Sequence, residues 1–514
     1  SRARVDHSLV LSSSRLSTAS TAPRRLDLTA MRASFRPRCP PASASHAARR
    51  RALSRDGFVA PRRPRSTVVM SSSAVDALNA LELDEKKFLS LLGDLIGESK
   101  DLQNTGVGTA HVPKEDLAVK HVLEALKPYR VESGGVLEVE HVSYAEGRGN
   151  VVVKYPGKGP NASAERQLTF AGSHMDVVPA NPEAWSVDPF KLTMDGDKLY
   201  GRGTTDCLGH VALMTTIFAQ LGEMKPVLDT TLTCVFIASE EANGPGIGVD
   251  GLVANGKLDH CKAGPVIWVD CADSQPCIGT AGAITWSLKA KGHRFHSGLP
   301  HKGINAIEMG MAAIERVQNK FYETFPACQQ EKDYKFITSS TMKPTQISCA
   351  PGGLNQIPPE ATISGDIRLT PFYPVADVKA CIEAEVAAIN ANIDSLPTKG
   401  DYSKFSIADG SGGVRKGSLE LEWGEHLLTG IACDLSSPAL TTLCEVIKDV
   451  KGVAEPYSLT GSLPLVAEMQ GNGFDIQLIG FGLMSTYHAD DEYCSLKDMK
   501  DAAKIVARTI ANFG

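Results

Sequence analysis

S-H-M-D (Ser173–Asp176), Y-G-R-G-T-T-D (Tyr200–Asp206) and A-S-E-E (Ala238–Glu241) lie in one stretch of the chain. Each of these segments closes an apolar run with side chains able to hold a divalent cation. Leu168–Gly172 reads as a short apolar strand running into His174, and Thr231–Ala238 as a β-rich run ending at Glu240-Glu241. Between them, Cys207–Leu221 has the apolar content of a helix that opens directly after a glycine-rich turn. Val266–Val269 is a further short apolar run, ending at Asp270. Strands alternating with helices predict an open α/β sheet, mostly parallel. Ligands in such sheets gather at the carboxyl ends of the strands. His174, Glu240, Glu241 and Asp270 all follow strand-like runs, so the pattern predicts one shared site.

The same pattern continues on both sides. Helical spacing of Phe88, Leu89, Leu92, Leu95 and Ile96, and of Leu117, Val122, Leu123 and Leu126, predicts two helices upstream. Val136–Val142 and Asn150–Tyr155 read as strands. Downstream the order changes to strand 285–290, helix 305–322, strands 345–350 and 361–369, helix 375–393 and strand 418–423. That β-α-β-β-α-β order predicts a ferredoxin-like α+β unit. Past residue 430 the α/β pattern resumes, with helices over 438–450 and 496–512 and a strand near 476–479. The expected organisation is a catalytic domain in two pieces, 75–283 and 429–514, with an inserted domain at 284–428.

Two domains suit a chain of 514 residues. Hydrophobic content of 42% and charged content of 22% are those of a globular protein. A net charge of -6 gives no support to a nucleic-acid partner. No apolar run reaches the roughly 18 residues a membrane helix needs, so no membrane partner is expected. The 12 cysteines form no C-x-x-C pair, and reduced thiols are the simpler reading. Residues 1–72 differ from the rest. They are rich in Arg, Ser, Ala and Pro, and Asp6, Asp27 and Asp56 are their acids. Such a composition reads as a transit leader, with a disordered basic tail as the alternative. Plastid import is expected ahead of a mitochondrial or cytoplasmic location, with Met31 a candidate start.

The site residues carry different weight alone and together. His174 and Asp176 stand at i and i+2, which places both on one face of an extended segment. Alone, H-x-D is a weak signal, and Asp176 also reads as a loop residue. Asp206, before a helix, reads equally as an N-cap. Two adjacent acids ending a buried strand repel each other, and a bound cation relieves that cost; a solvated loop pair is the alternative for Glu240-Glu241. Asp270 and His488 taken singly read as structural. As a set, two histidines and several carboxylates, one able to bridge, suit a pair of zinc ions.

With V-D-C-A-D-S-Q-P (269–276), F-H-S-G-L-P-H-K-G-I-N-A-I (295–307), N-Q-I-P (355–358) and Y-H-A-D-D-E-Y (487–493), this ordered series resembles a known family. It is similar to the dinuclear-zinc amidohydrolases and peptidases that include acetylornithine deacetylase, succinyl-diaminopimelate desuccinylase, aminoacylase and carboxypeptidase G. The resemblance spans about residues 75–514. It is nearest the plant-type acetylornithine deacetylase branch through 203–213, 340–346 and 366–373.

The resemblance implies a zinc-peptidase-like catalytic domain with an inserted lid and dimerisation domain. It implies two Zn2+, with Co2+ or Mn2+ as substitutes. His174 and Asp270 would hold one ion, Glu241 and His488 the other, with Asp206 bridging. Asp176 would orient His174, and Glu240 would be the general acid–base. His296 would reach across a homodimer to the oxyanion, and Arg368 and Asn355 would bind the substrate carboxylate. Two features depart from the family pattern: Asp270 replaces a Glu, and Cys207-Leu208 replaces a Met-Lys pair. The expected reaction is hydrolysis of an N-acyl amino acid, N2-acetylornithine first, as in arginine biosynthesis. A broader aminoacylase, a carboxypeptidase and an inactive metal-binding homologue are the alternatives.

Overall fold

The computed structural model describes residues 72–104, 112–241 and 244–513. The expected leader therefore lies outside the described residues. An eight-stranded sheet runs in the order Glu138–Ser143, Gly149–Tyr155, Thr231–Ile237, Gln167–His174, Pro265–Val269, Asp475–Ile479, Cys277–Thr280 and Tyr457–Leu459. Its central pairings are parallel: Gln167–His174 lies between Thr231–Ile237 and Pro265–Val269, and Asp475–Ile479 pairs with Pro265–Val269. The first two pairings of the sheet are antiparallel.

Helices cover both faces. Glu85–Glu98, Asp116–Leu126, Leu208–Met224, Pro438–Lys451 and Leu496–Phe513 enclose one core with Phe170, Phe218, Phe236 and Phe481. The opposite face buries Trp268, Val235 and Leu478 under Val249–Ala254 and Val466–Gly471. Leu208–Met224 is buried on nearly every side. That explains why its sequence is apolar all round rather than striped.

The chain leaves this sheet after Cys277–Thr280 and returns to it at Tyr457–Leu459. In between it builds a four-stranded antiparallel sheet in the order Thr341–Cys349, Glu360–Leu369, Gly282–Lys291, Ser418–Leu428. This is the ferredoxin-like order, with helices Ala306–Thr324 and Val375–Ala391 on one face. Ile284, Trp286, Leu288 and Ala290 alternate into a core drawn from residues 284–423 alone, as strand periodicity requires. Asn305 caps the first of these helices by accepting from the Ile307 and Glu308 N–H groups.

Most elements lie within a few residues of their expected ranges. Three short strands, Thr193–Asp195, Lys198–Tyr200 and Tyr493–Ser495, form a small separate sheet that sequence periodicity did not predict. Cys271 and Cys277 are free and buried. Among the described residues, no helix is long and apolar enough to cross a membrane.

Candidate metal centre

Strand ends and turns bring the site together. The Gln167–His174 strand carries a bulge against Thr231–Ile237 between Phe170 and Ser173. Gly172 sits in it at φ 95°, and a Cβ there would meet the Trp268 ring at 2.6 Å. An extra residue of this kind re-aims the side chains that follow, and His174 follows it at the carboxyl end of the strand. Ser239, after the Thr231–Ile237 strand, is left-handed at φ 63°, and residues in that region cluster at functional sites. It swings Glu240 and Glu241 inward. Asp270 follows the Pro265–Val269 strand directly. Asp206 closes the Gly201–Asp206 turn, where Gly203 has φ 99° and a Cβ would press on Leu208 at 2.8 Å. The N-cap of the next helix is Cys207, not Asp206, which leaves the Asp206 carboxylate free for the site.

His174, Asp206, Glu240, Glu241, Asp270 and His488 converge. The His174 Nδ1–H donates to the Asp176 carbonyl oxygen at 2.8 Å. A carbonyl can only accept, so Nδ1 carries a proton, and Nε2 is the ring nitrogen that faces the cluster. Nε2 lies 3.0 Å from Asp206 Oδ1, 3.6 Å from Asp270 Oδ1 and 3.9 Å from Glu240 Oε2. His488 Nε2 lies 3.0 Å from Asp206 Oδ2 and 3.1 Å from Glu241 Oε1. Asp206 thus offers one oxygen to each histidine. Its side of the cluster is buried, whereas the His488 side chain is 55% exposed.

Asp176 meets His174 through its main chain as well as its carboxylate. Its main-chain oxygen holds the ring, and its Oδ1, 3.6 Å from Nδ1, accepts the Glu240 N–H at 3.0 Å. One residue therefore places both a histidine and the neighbouring acid.

The residues fit a bound cation. Burial, reinforced by neighbouring acids, pushes Glu241 up to about 7 and Asp270 up to about 6, and Glu240 well above the usual carboxylate range. Burial opposes ionisation of Asp206 too, but hydrogen bonds from His174 and His488 outweigh it and hold its carboxyl low. Hydrogen bonds to Asp206 and Glu241 raise His488 to about 10. So many acids in one buried pocket are costly without a positive partner. Asp270 Oδ2 is buried with no hydrogen-bond partner, as an atom intended for a metal would be. Two ligands about 2.1 Å from one zinc stand roughly 3.4 Å apart, close to the separations observed. His174, Asp206 and Glu241 place one ligand atom each within 4.8 Å of one another, and so do His174, Cys207 and Asp270.

A further layer was not read from the sequence. Glu115, paired with buried Arg148, accepts the Ser239 N–H at 3.0 Å. Glu492, paired with buried Arg202, accepts the N–H groups of Gly203, Thr205 and Asp206. Their signal in the sequence was slight: an acid four residues past His488 and an arginine inside the glycine turn.

His296 lies in the short strand Phe295–His296, beside Gln356–Ile357, and is exposed. Its Nδ1 accepts the Gly298 N–H at 3.0 Å, which leaves Nε2–H as an outward donor in the neutral ring. The Asn355 carbonyl accepts the Ser297 N–H. Arg368 Nε donates to Asp366 Oδ2 at 2.7 Å. Among the described residues, no contact joins His296, Asn355 or Arg368 to the cluster. His293 binds Arg415, and His301 is exposed.

The fold and this cluster define a metal-dependent amidohydrolase. The chain belongs to Peptidase family M20/M25/M40, whose model matches residues 170–512. Among curated relatives it is similar to "Acetylornithine deacetylase" of Arabidopsis thaliana, 49% identical over 445 residues, covering 86% of this chain and 99% of that protein. The protein of the same name from Dictyostelium discoideum is 49% identical over 437 residues, covering 84% and 97%. In fold it is similar to human carnosine dipeptidase 1, with a TM-score of 0.59 and 16% identity, covering 86% of this chain and 98% of that one.

Proposed function

We propose that the protein hydrolyses the acyl amide of N2-acetylornithine, releasing ornithine and acetate, as the names of its 49%-identical relatives suggest. The observation that carries the hydrolytic centre is the division of Asp206 between two histidines, Oδ1 to His174 and Oδ2 to His488, each at 3.0 Å. Two Zn2+ ions, or Co2+ or Mn2+ in their place, would be held by His174 and Asp270 on one side and Glu241 and His488 on the other. When bound, such a pair polarises a carbonyl and lowers the pKa of water.

The chain's own residues do the rest. Asp176 holds the Glu240 backbone, so the Glu240 carboxylate stands beside the reacting atoms. Water adds its oxygen to the acyl carbon, and Glu240 takes the proton released. Glu240 passes that proton to the amide nitrogen as the C–N bond breaks, and returns to a carboxylate. His296, with Nε2–H directed outward, would donate to the oxyanion, where a preorganised donor stabilises charge that develops only in the transition state. It is exposed and does not touch its own chain's cluster, which supports a homodimer through the inserted domain. Arg368 keeps its Nη groups for a substrate carboxylate while Asp366 holds Nε, and Asn355 lies beside the His296 strand. Residues 1–72 support plastid import, to be tested with isolated organelles.

A panel of N-acetyl and N-succinyl amino acids tests the substrate. With metal-reconstituted protein, kcat/KM for N2-acetylornithine should exceed the others by at least ~10-fold, the scale of one lost pocket contact. Equal or better turnover of succinylated substrates or dipeptides overturns it. For the dimer, mixing chains that carry Glu240→Ala with chains that carry His296→Ala should restore turnover; monomers by light scattering refute the arrangement.

A further inference from the structure

Glu492 is fully buried, and both its oxygens are taken up by hydrogen bonds. Oε2 accepts Arg202 Nη1–H at 2.6 Å and the Gly203 N–H at 3.0 Å. Oε1 accepts the Thr205 N–H at 2.7 Å and the Asp206 N–H at 2.9 Å. Successive backbone N–H groups turned on one anion form a nest, and here the nest is the turn that presents Asp206.

The other end of the clamp is the loop that presents His488. Arg202 Nη2 donates to the Ala489 oxygen at 3.2 Å, and the guanidinium lies 5.2 Å from the Trp185 ring centre. Gly201 N–H donates to the Glu492 oxygen, and Thr205 Oγ1–H to the Tyr493 oxygen at 2.9 Å. His488 and Asp491 are both left-handed, at φ 55° and 56°. A loop bent in that way holds its shape only when its surroundings impose it. Asp206 and His488, from opposite sides of the inserted unit, thus share one fastening.

The other half of the centre meets it only through Asp206 Oδ1, 3.0 Å from His174 Nε2. His174 and Asp270 end strands that are ladder partners in the large sheet. We propose that Glu492 is a positioning residue that sets the relation of Asp206 to His488, and through it the affinity of the His488/Glu241 metal position in preference to the His174/Asp270 position. This rests on the dinuclear reading above.

Glu492→Gln keeps the shape but turns an amide NH2 toward backbone donors. The full chain is titrated with Co2+ and followed by visible absorbance and by the spin coupling of the two ions in EPR. The unsubstituted protein should take two ions. In the variant the second should bind ~10–100-fold more weakly, the usual effect of a group supporting a ligand, with the first within ~3-fold and the coupling reduced. A merely structural role would lower the melting temperature of the metal-free chain and weaken both ions alike. Equal weakening, or none, overturns the inference. If Glu492→Gln does not fold by circular dichroism, Arg202→Lys replaces it. That variant should show the same one-sided loss, smaller in size, and an even loss overturns the inference. One ion per unsubstituted chain would sink the dinuclear reading, and the inference with it.

Discussion

Replacing Glu240 by Gln tests the proposed chemistry with little structural disturbance. The side chain is buried and lies 3.9 Å from His174 Nε2, while its backbone N–H is held by Asp176 Oδ1. Gln has the same length, so the amide should occupy the same place and lose only the ability to take and return a proton. A positioned acid–base contributes about 10²–10⁴ in rate. With this group handling both the attacking water and the leaving amine, the middle of that range applies. The expected loss in kcat is ~10³-fold, or about 4 kcal/mol. KM should change little, because the proton moves only on the way to the transition state. Amine release from N2-acetylornithine measures turnover, and elemental analysis measures metal at saturation. His174, Asp206, Glu241, Asp270 and His488 are unaltered, so metal content should match the unsubstituted protein. Turnover within ~10-fold of the original rate refutes Glu240 as the base. Loss of metal together with turnover refutes the separation of base from ligands.

Other perturbations follow from buried charges. Arg148→Met strands the Glu115 carboxylate, which burial already pushes upward; about 3–5 kcal/mol of stability should be lost. Urea unfolding measures this, Glu115→Gln in the same chain should recover part of it, and a loss under ~1 kcal/mol contradicts the assignment. His210 is fully buried, accepts the Phe481 N–H on Nε2, and is held neutral by burial at about 4. Its pKa is lowered on folding, so its contribution is complete above about 6.5 and is lost as pH falls toward 4. The difference in stability between the unsubstituted chain and His210→Gln should shrink by about 3 kcal/mol across that window; a constant difference would show that His210 does not titrate this way. Chelation should lower the melting temperature, since metal at 100 times its Kd stabilises by about 2.7 kcal/mol. A melting temperature indifferent to metal would argue against the cluster as a metal site.

What could be read from the sequence follows from how each part of the molecule gains its rigidity. Strands buried on both faces are continuous apolar runs, so Gln167–His174, Thr231–Ile237 and Pro265–Val269 were legible, along with the acids and histidine at their ends. The ferredoxin-like unit was legible because Gly282–Lys291 and Glu360–Leu369 alternate strictly. Strands of three residues, such as Lys198–Tyr200 and Tyr493–Ser495, are too short to show a period. Glu115 and Glu492 were not legible for a different reason. Each holds backbone N–H groups, which every sequence possesses, so nothing at the partner positions marks the contact.

That difference in rigidity divides the centre itself. His174 and Asp270 are fixed by hydrogen-bond ladders that form with the sheet. Asp206 and His488 project from turns whose geometry depends on a carboxylate meeting an arginine from the far side of the inserted unit. Glu241 depends in turn on Ser239, held by Glu115. On the dinuclear reading proposed above, the sheet-borne position should therefore fill first and tolerate substitution better, while the turn-borne position should complete the site only after both pieces of the large domain have closed on each other. A centre divided in this way couples final metal uptake to completed folding. Its weakest points lie away from the ligands, at Arg148 and Arg202, the two buried cations that keep the fastening carboxylates charged.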